Sequence, residues 1–578
     1  MQEVVKESNY KPRQEHFIGS VFQVGLSSIQ FSFSSLSNSN KNSENRETPL
    51  TIPTDVGVGD YVVIACLNHS TLGQITDMQI KATSTSNGKQ ALPIATVELF
   101  ASMSYADGMI SSGIKGSPKL SARVYVAPPE LIQRITTSNY QRPDEVQDVL
   151  LEVGALPNQE ETPLFFSPDS LFGRHLAIVG TTGSGKSWSI ARILQETAKF
   201  NSKVILFDAS GEFSDMPKGT IHVSIGLDPD PPKHVYQVSV PYTELRESDL
   251  FAIFKPTGRS QFPKLRQAIK SLKLAKLAPH IAIDGLIIKA HRTKLDYEEE
   301  YRRFAAELES PTANFNIHCL SEQIENECVN PQRSQLETGT WGGPNSEDFS
   351  DCVPLINRIN DIIHSPNLSP IFNPGKKHSL FTVIKHFLTD DSQRILRISL
   401  QYLSFDHNAR EIIANAIGRH LLEIARSGFF RQQPLLVVVD EAHQFLNDNI
   451  LTGGHFPLDS FGFIAKEGRK YAINICLATQ RPRDIPEGVI SQMGTLIVHR
   501  LINDHDRQLI ERASASMDHN TAESIPVLAP GDAIILGVNF PIPLLMKITP
   551  PQNRPNSRGP EYQKFWRKTK PEVKTELE

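Results

Sequence analysis

The stretch 174–190, Arg-His-Leu-Ala-Ile-Val-Gly-Thr-Thr-Gly-Ser-Gly-Lys-Ser-Trp-Ser-Ile, limits the fold more than any other part of the chain. Leu176, Ala177, Ile178 and Val179 predict a buried strand. The loop Gly180, Thr181, Thr182, Gly183, Ser184 and Gly185 then runs into Lys186, Ser187 and Trp188, which open a helix. The spacing is G-x-x-x-x-G-K-[ST]. Glycines let backbone N–H groups turn inward onto phosphate oxygens, and the helix N-terminus adds its partial positive charge. Lys186 is expected to reach the β- and γ-phosphates of ATP, and the Ser187 hydroxyl to ligate Mg²⁺. An accidental Gly-rich turn would lack the strand before it and the helix after it. The unit belongs in a parallel α/β sheet.

Two later strands supply partners for that loop. Leu435–Val439 predicts a buried parallel strand that delivers Asp440 and Glu441 to its carboxyl end. Asp440 suits the metal side, typically through water, and Glu441 suits the general base that activates the attacking water. An acidic turn is the plainer reading, but a phosphate loop with Mg²⁺ needs such a partner. His443 reads as structural. Ile473–Ala478 predicts an apolar strand with a polar tip, Thr479-Gln480, placed to contact the γ-phosphate or the water. Arg469 and Lys470 precede that strand, either as a surface pair or with one reaching a neighbouring subunit's γ-phosphate as an arginine finger. Val204–Phe207 completes a βαβ unit. It ends in Asp208 and Glu212, at the end of the sheet where ligands bind, although capping and loop solvation explain them equally well.

The rest of the chain divides by composition. Short alternating segments over 16–126 predict a small barrel, with an exposed loop near 34–47. A polar stretch, 131–163, reads as a linker, and the core starts at 164. Residues 240–393 read as a mainly helical insertion between core parts 164–239 and 394–520. Helical spacing over 250–278 is expected to break at Pro256 and Pro263. The basic run there (Lys264, Arg266, Lys270, Lys273, Lys276) either faces DNA or is a solvated helix face. Residues 521–578 form a closing hairpin and a polar tail whose Phe565-Trp566 either docks on a neighbour or is disordered. With 578 residues and a formal net charge of −5, any nucleic-acid surface must be a local patch. Five scattered cysteines argue against a disulfide framework or structural zinc and fit a reducing cytoplasm. No apolar run is long enough to span a membrane.

Together the motifs Gly180–Ser187, Asp208–Phe213, Val437–His443, Glu467-Gly-Arg-Lys-Tyr471 and Ala478-Thr-Gln-Arg-Pro482 resemble the HerA family of the HerA/FtsK superfamily. The likeness covers roughly 16–550. It implies a RecA-like core with an N-terminal barrel of the HAS-barrel type, on residues 1–130. It implies a homohexameric ring that translocates double-stranded DNA with ATP and Mg²⁺. It further implies that Gln480 is the sensor, that Arg469 acts in trans, that Arg174 acts in the site, and that a C-terminal segment braces the next subunit. Relatives work with a partner: a NurA-like nuclease in archaeal DNA-end resection, or a nuclease or NAD-hydrolysing effector in bacterial anti-phage defence. The Asn/Ser-rich composition leans towards the latter. A ring that gates a partner by nucleotide binding, without translocation, is the non-motor alternative.

Overall fold

The computed structural model describes residues 11–34, 56–85, 88–137, 149–157, 159–446, 458–514, 517, 519–557 and 559–567. Most of the exposed loop expected near 34–47 lies outside them. The first sheet comprises β1 (Phe17–Val24), β2 (Ser28–Phe33), β3 (Tyr61–Ala65), β4 (His69–Thr85), β5 (Gly88–Ser104), β6 (Ile110–Ser112) and β7 (Arg123–Val126). Its order is β2-β1-β7-β3-β4-β5-β6, and a further β2–β5 pairing closes six of the strands into a barrel with β6 attached outside. Closure follows from alternation. Ile29, Phe31 and Phe33 of β2 point inward with Ile75, Val97 and Val124, while the residues between them face out. Register shifts at Leu72/Gly73 and Ile75/Asp77 in the β4–β5 hairpin are bulges, which bend long strands around a barrel.

The second sheet has thirteen strands in the order β14-β13-β12-β15-β11-β16-β17-β10-β18-β19-β20-β8-β9. They are β8 (Leu151–Leu156), β9 (Gln159–Phe166), β10 (Leu176–Val179), β11 (Lys203–Asp208), β12 (Thr220–Ile225), β13 (Val235–Ser239), β14 (His378–Ser379), β15 (Ile395–Ser399), β16 (Leu435–Val439), β17 (Ile473–Thr479), β18 (Thr495–Val498), β19 (Asp532–Gly537) and β20 (Leu544–Ile548). From β14 to β18 every pairing is parallel; from β18 to β9 every pairing is antiparallel. The central strands read as unbroken apolar runs because helices cover both of their faces. All four residues of β10 and all five of β16 are buried.

Two expectations about organisation need correcting. The segment 131–163 is no simple linker. It begins inside the helix Pro129–Thr137 and ends in the β8–β9 hairpin, which pairs with β20 at the sheet margin. The Leu151-Glu-Val-Gly-Ala-Leu156 strand buries Leu151, Val153, Gly154 and Leu156, an alternation broken by register shifts and obscured by polar flanks. Pro263 does not break a helix. The chain is interrupted only around Pro256, where Lys255 adopts φ 50°, and Gly258–Leu277 continues through Pro263. So near a helix start, proline removes a single hydrogen bond.

Between β13 and β15 the chain makes helices Glu247–Phe254, Gly258–Leu277, Leu320–Glu327, Ser346–His364 and Leu380–Thr389, packed into the same apolar core as one face of the sheet, while helix Leu295–Arg303 packs through Tyr297 and Tyr301 on a separate small cluster with Leu274, Ala278 and Leu308. The barrel seats on the antiparallel margin. There the Tyr61 hydroxyl donates to the Pro543 carbonyl (2.8 Å) and accepts from Leu545 N–H (3.1 Å). Among the described residues, no helix is long and apolar enough to cross a membrane.

Candidate active site

Five adjacent strands, β11-β16-β17-β10-β18, bring their carboxyl ends together, and each delivers a polar segment there. Registers Phe207↔Val439, Val439↔Leu477, Val179↔Thr479 and Val179↔Val498 align these ends. Residues far apart in sequence thus meet at one edge, as open α/β sheets require of a ligand site.

The phosphate loop follows β10. Gly183 and Gly185 have φ 74° and 122°, a region open to glycine. A Cβ at Gly180 would lie 2.6 Å from both the His499 Cβ and the Ser184 Oγ, so the loop closes only around a bare α-carbon. It is braced from outside: Thr181 N–H donates to the Arg500 carbonyl (2.9 Å) and Gly531 N–H to the Ser184 carbonyl (2.9 Å). His499, fully buried beneath the loop, links the Ser189 hydroxyl (2.8 Å) to the Asp532 carbonyl (2.8 Å). Lys186 and Ser187 begin the helix Lys186–Thr197, with Trp188 on its first turn. The Lys186 ammonium donates to the Thr181 carbonyl at 3.1 Å. Burial pulls its pKa down, while Glu441, Asp440 and Glu212 pull it back up.

Opposite the loop stands an acidic cluster. Asp440 is 4% exposed; burial, then Glu441, Asp208 and Glu212, push its carboxyl well above the usual range. Burial also raises Glu441, with Glu212 adding to the rise and Lys186 and Arg481 opposing it. Glu441 takes φ 47°, a strained left-handed turn that swings its side chain off the strand axis. Its carboxylate meets His443 Nδ1 at 3.2 Å, and the same ring nitrogen lies 3.3 Å from the Thr479 hydroxyl. His443 therefore lies between the acidic turn and the tip of β17. At the tip of that strand the Gln480 Oε1 accepts from the Thr182 hydroxyl at 2.5 Å, joining strand and phosphate loop.

Asp208 and Glu212 separate into different parts. Asp208 accepts from Gly211, Glu212 and Phe213 N–H and pairs with Arg397 at 2.7 Å, so it shapes the loop. Glu212 faces the cluster, and its Oε2 is buried without a partner among the described residues. The motif Asp208–Phe213 was visible in sequence, but it could not say which acid faces the site.

Arg469, Lys470 and Arg174 are not at this edge. They line one cleft of about 840 Å³ at the opposite, amino ends of β10, β17 and β18, with His175 and Gly494. Arg174 therefore does not act in its own chain's site: the length of β10, roughly 15–20 Å counted from Arg174 to the loop, intervenes. Arg469 and Gln480 likewise flank β17 at its two ends.

The donor set fits Mg²⁺. The Ser187 hydroxyl and the Asp440 carboxylate are hard oxygen ligands, and a divalent cation would offset the burial and the neighbouring carboxylates that raise the Asp440 pKa. Among the described residues no group of three or more His, Cys, Asp or Glu could hold a metal ion alone. Mg²⁺ is commonly held by one or two protein oxygens together with substrate phosphates.

The profile of the HerA helicase central domain matches residues 151–340, starting where β8 starts. A probable helicase of Methanocaldococcus jannaschii is 23% identical over 460 residues, covering 78% of this chain and 75% of that protein. The DNA double-strand break repair helicase HerA of Sulfolobus acidocaldarius is 25% identical over 399 residues, 69% of each chain. Among solved structures, the bacterial conjugative coupling protein TrwB aligns over 74% of this chain and 94% of its own, with 13% identity and a TM-score of 0.41. The chain is a P-loop ATPase that carries a HerA-type central domain and is distantly related to the archaeal HerA helicases.

Proposed function

We propose that the protein is a homohexameric motor that hydrolyses ATP between subunits to drive double-stranded DNA through a ring. The placement of Arg469 and Arg174 carries this reading: they lie one strand length from their own phosphate loop, at the opposite ends of the strands. A head-to-tail neighbour would bring them onto that loop, and a heterologous contact of this kind closes into a ring where its rotation is a whole fraction of a turn. Lys186 and the N–H groups of Gly183–Ser187 bind the β- and γ-phosphates. Ser187 and Asp440 hold Mg²⁺, which supplies charge neutralisation on the phosphate oxygens. Glu441 orients the attacking water and takes its proton, a role suited by its raised pKa. Gln480, tied to Thr182, reports on the γ-phosphate side. Arg469 of the neighbour stabilises charge that develops in transfer.

DNA is gripped through phosphates, not read by base, so affinity should fall steeply with salt. The partner is a nuclease or an NAD-hydrolysing effector acting in anti-phage defence, the setting favoured by composition. A NurA-like nuclease in end resection is the second reading, favoured by the double-strand break repair helicases among the relatives. The test is Glu441→Gln. It should keep ATP affinity and lose turnover by about 10²–10⁴-fold; unchanged DNA-dependent hydrolysis in that variant would sink the assignment.

A further inference from the structure

After β20 the chain runs back over the phosphate-loop helix. Thr549 N–H donates to the Val153 carbonyl (3.1 Å), Gln552 N–H to Gln195 Oε1 (2.7 Å) and Asn556 N–H to the Glu212 carbonyl (2.7 Å). Asn553 Nδ2 donates to Asp215 Oδ1 at 2.9 Å. Pro551 and Pro555 are buried, which pins the segment at two points. Between them the exposed Arg554 holds its guanidinium over the Trp188 ring, 5.7 Å from the centroid. Trp188 lies on the first turn of the helix, two residues past Lys186.

We propose that this strap, residues 549–557, is the base-side wall of the nucleotide site, and that Trp188 and Arg554 hold the purine by stacking. The inference rests on the nucleotide-binding reading of the phosphate loop. Phosphates on the loop amides and the helix N-terminus direct the nucleoside end of the ligand along the first helical turn. The strap places a π face and a planar cation there, both of which stack on a base. Stacking reads ring area and leaves the base edge unread, so ATP and GTP bind comparably while a base-free triphosphate gains nothing from the pair. The Asn556–Glu212 tie joins this wall to the acidic cluster through the backbone of Glu212.

The test uses the full chain with Mg²⁺ and measures equilibrium binding of ATP, GTP and inorganic tripolyphosphate. Arg554→Ala should weaken ATP and GTP about tenfold and leave tripolyphosphate unchanged. Trp188→Phe, which keeps a ring, should retain most of the nucleotide affinity, and Trp188→Ala should lose as much as Arg554→Ala. Circular dichroism checks that each variant is folded. ATP affinity within twofold of wild type in Arg554→Ala, or an equal loss of tripolyphosphate, overturns the proposal. If the wild-type chain binds neither ATP nor tripolyphosphate, the nucleotide reading itself fails and the strap's role falls with it. Wild-type binding of both, with no effect of either alanine variant, overturns the strap alone.

Discussion

His175, His222 and His499 are buried, and each is held near a pKa of about 4. Burial is the main cause in all three. Arg469 adds to it at His175, Arg397 and His234 at His222, and Lys186 at His499. A histidine near 6.5 in the unfolded chain binds more protons there than in the native state over the window from 4 to 6.5. Its stabilising contribution is complete above that window and is lost as pH falls through it. Carboxyls raised by burial, such as Glu411 and Asp459, act in the opposite sense, so a single histidine is best isolated by difference. His222→Gln should flatten the slope of stability against pH between 6.5 and 4 by up to about 1.4 kcal/mol per pH unit, measured by urea unfolding. An unchanged slope would mean that His222 titrates normally in the native state.

The helix Gly258–Leu277 shows how an element can carry a basic run and still tie up most of it. Lys264 donates to the Glu327 carbonyl (2.7 Å) and pairs with Asp348 (2.9 Å). Lys270 pairs with Glu309, Lys273 with Glu247, and Lys276 donates to Asn314. Arg266 also pairs with Glu309, at 3.8 Å. Lys264, Lys270 and Lys273 are held between segments of the insertion, while Arg266 and Lys276 stay exposed as a solvated face. Neutralising Arg266 and Lys276 together (R266Q/K276Q) should therefore leave the salt dependence of DNA binding unchanged; a shallower log–log slope would put this face on DNA. Lys273 is different, since its side chain is only 4% exposed and Glu247 is 15% exposed. Lys273→Ala strands the partner carboxylate and should cost about 3 kcal/mol in urea unfolding.

At the scale of the molecule, the phosphate loop and the Arg469 cleft occupy opposite ends of one parallel sheet. In the proposed ring the chain presents a nucleotide half-site at one edge and a cationic half-site at the other. Arg469→Ala and Glu441→Gln should each be inactive alone, because each removes one half from every interface. Mixed one to one, they should regain activity at roughly a quarter of the interfaces, where an intact Glu441 meets an intact Arg469. Hydrolysis that stays at the level of the separate variants after subunit exchange would rule out the shared site. The short helix Tyr562–Phe565 leaves Phe565 and Trp566 73% and 78% exposed among the described residues.

How much was legible from sequence follows from what kind of physics each feature obeys. The glycine loop after β10 and the polar tips Asp440-Glu441 and Thr479-Gln480 were readable because each is a local pattern. A glycine spacing sets backbone freedom, and an apolar run ending in polar residues sets a buried strand with its carboxyl end exposed. The barrel was readable from its alternation. Other features depend on which strands become neighbours, and no local pattern encodes that. The β8–β9 hairpin joins the core because β20, some four hundred residues later, offers it an edge. Only the packed sheet told Asp208 from Glu212, by giving Asp208 the buried Arg397 as its partner. Only the parallel order of β10 and β17 put Arg174 and Arg469 together and away from their own loop. The sequence by itself determined the chemistry available at the carboxyl edge of the sheet. The tertiary structure decided which groups share that edge, because a side chain's reach is a few ångströms and strand order sets what lies within it.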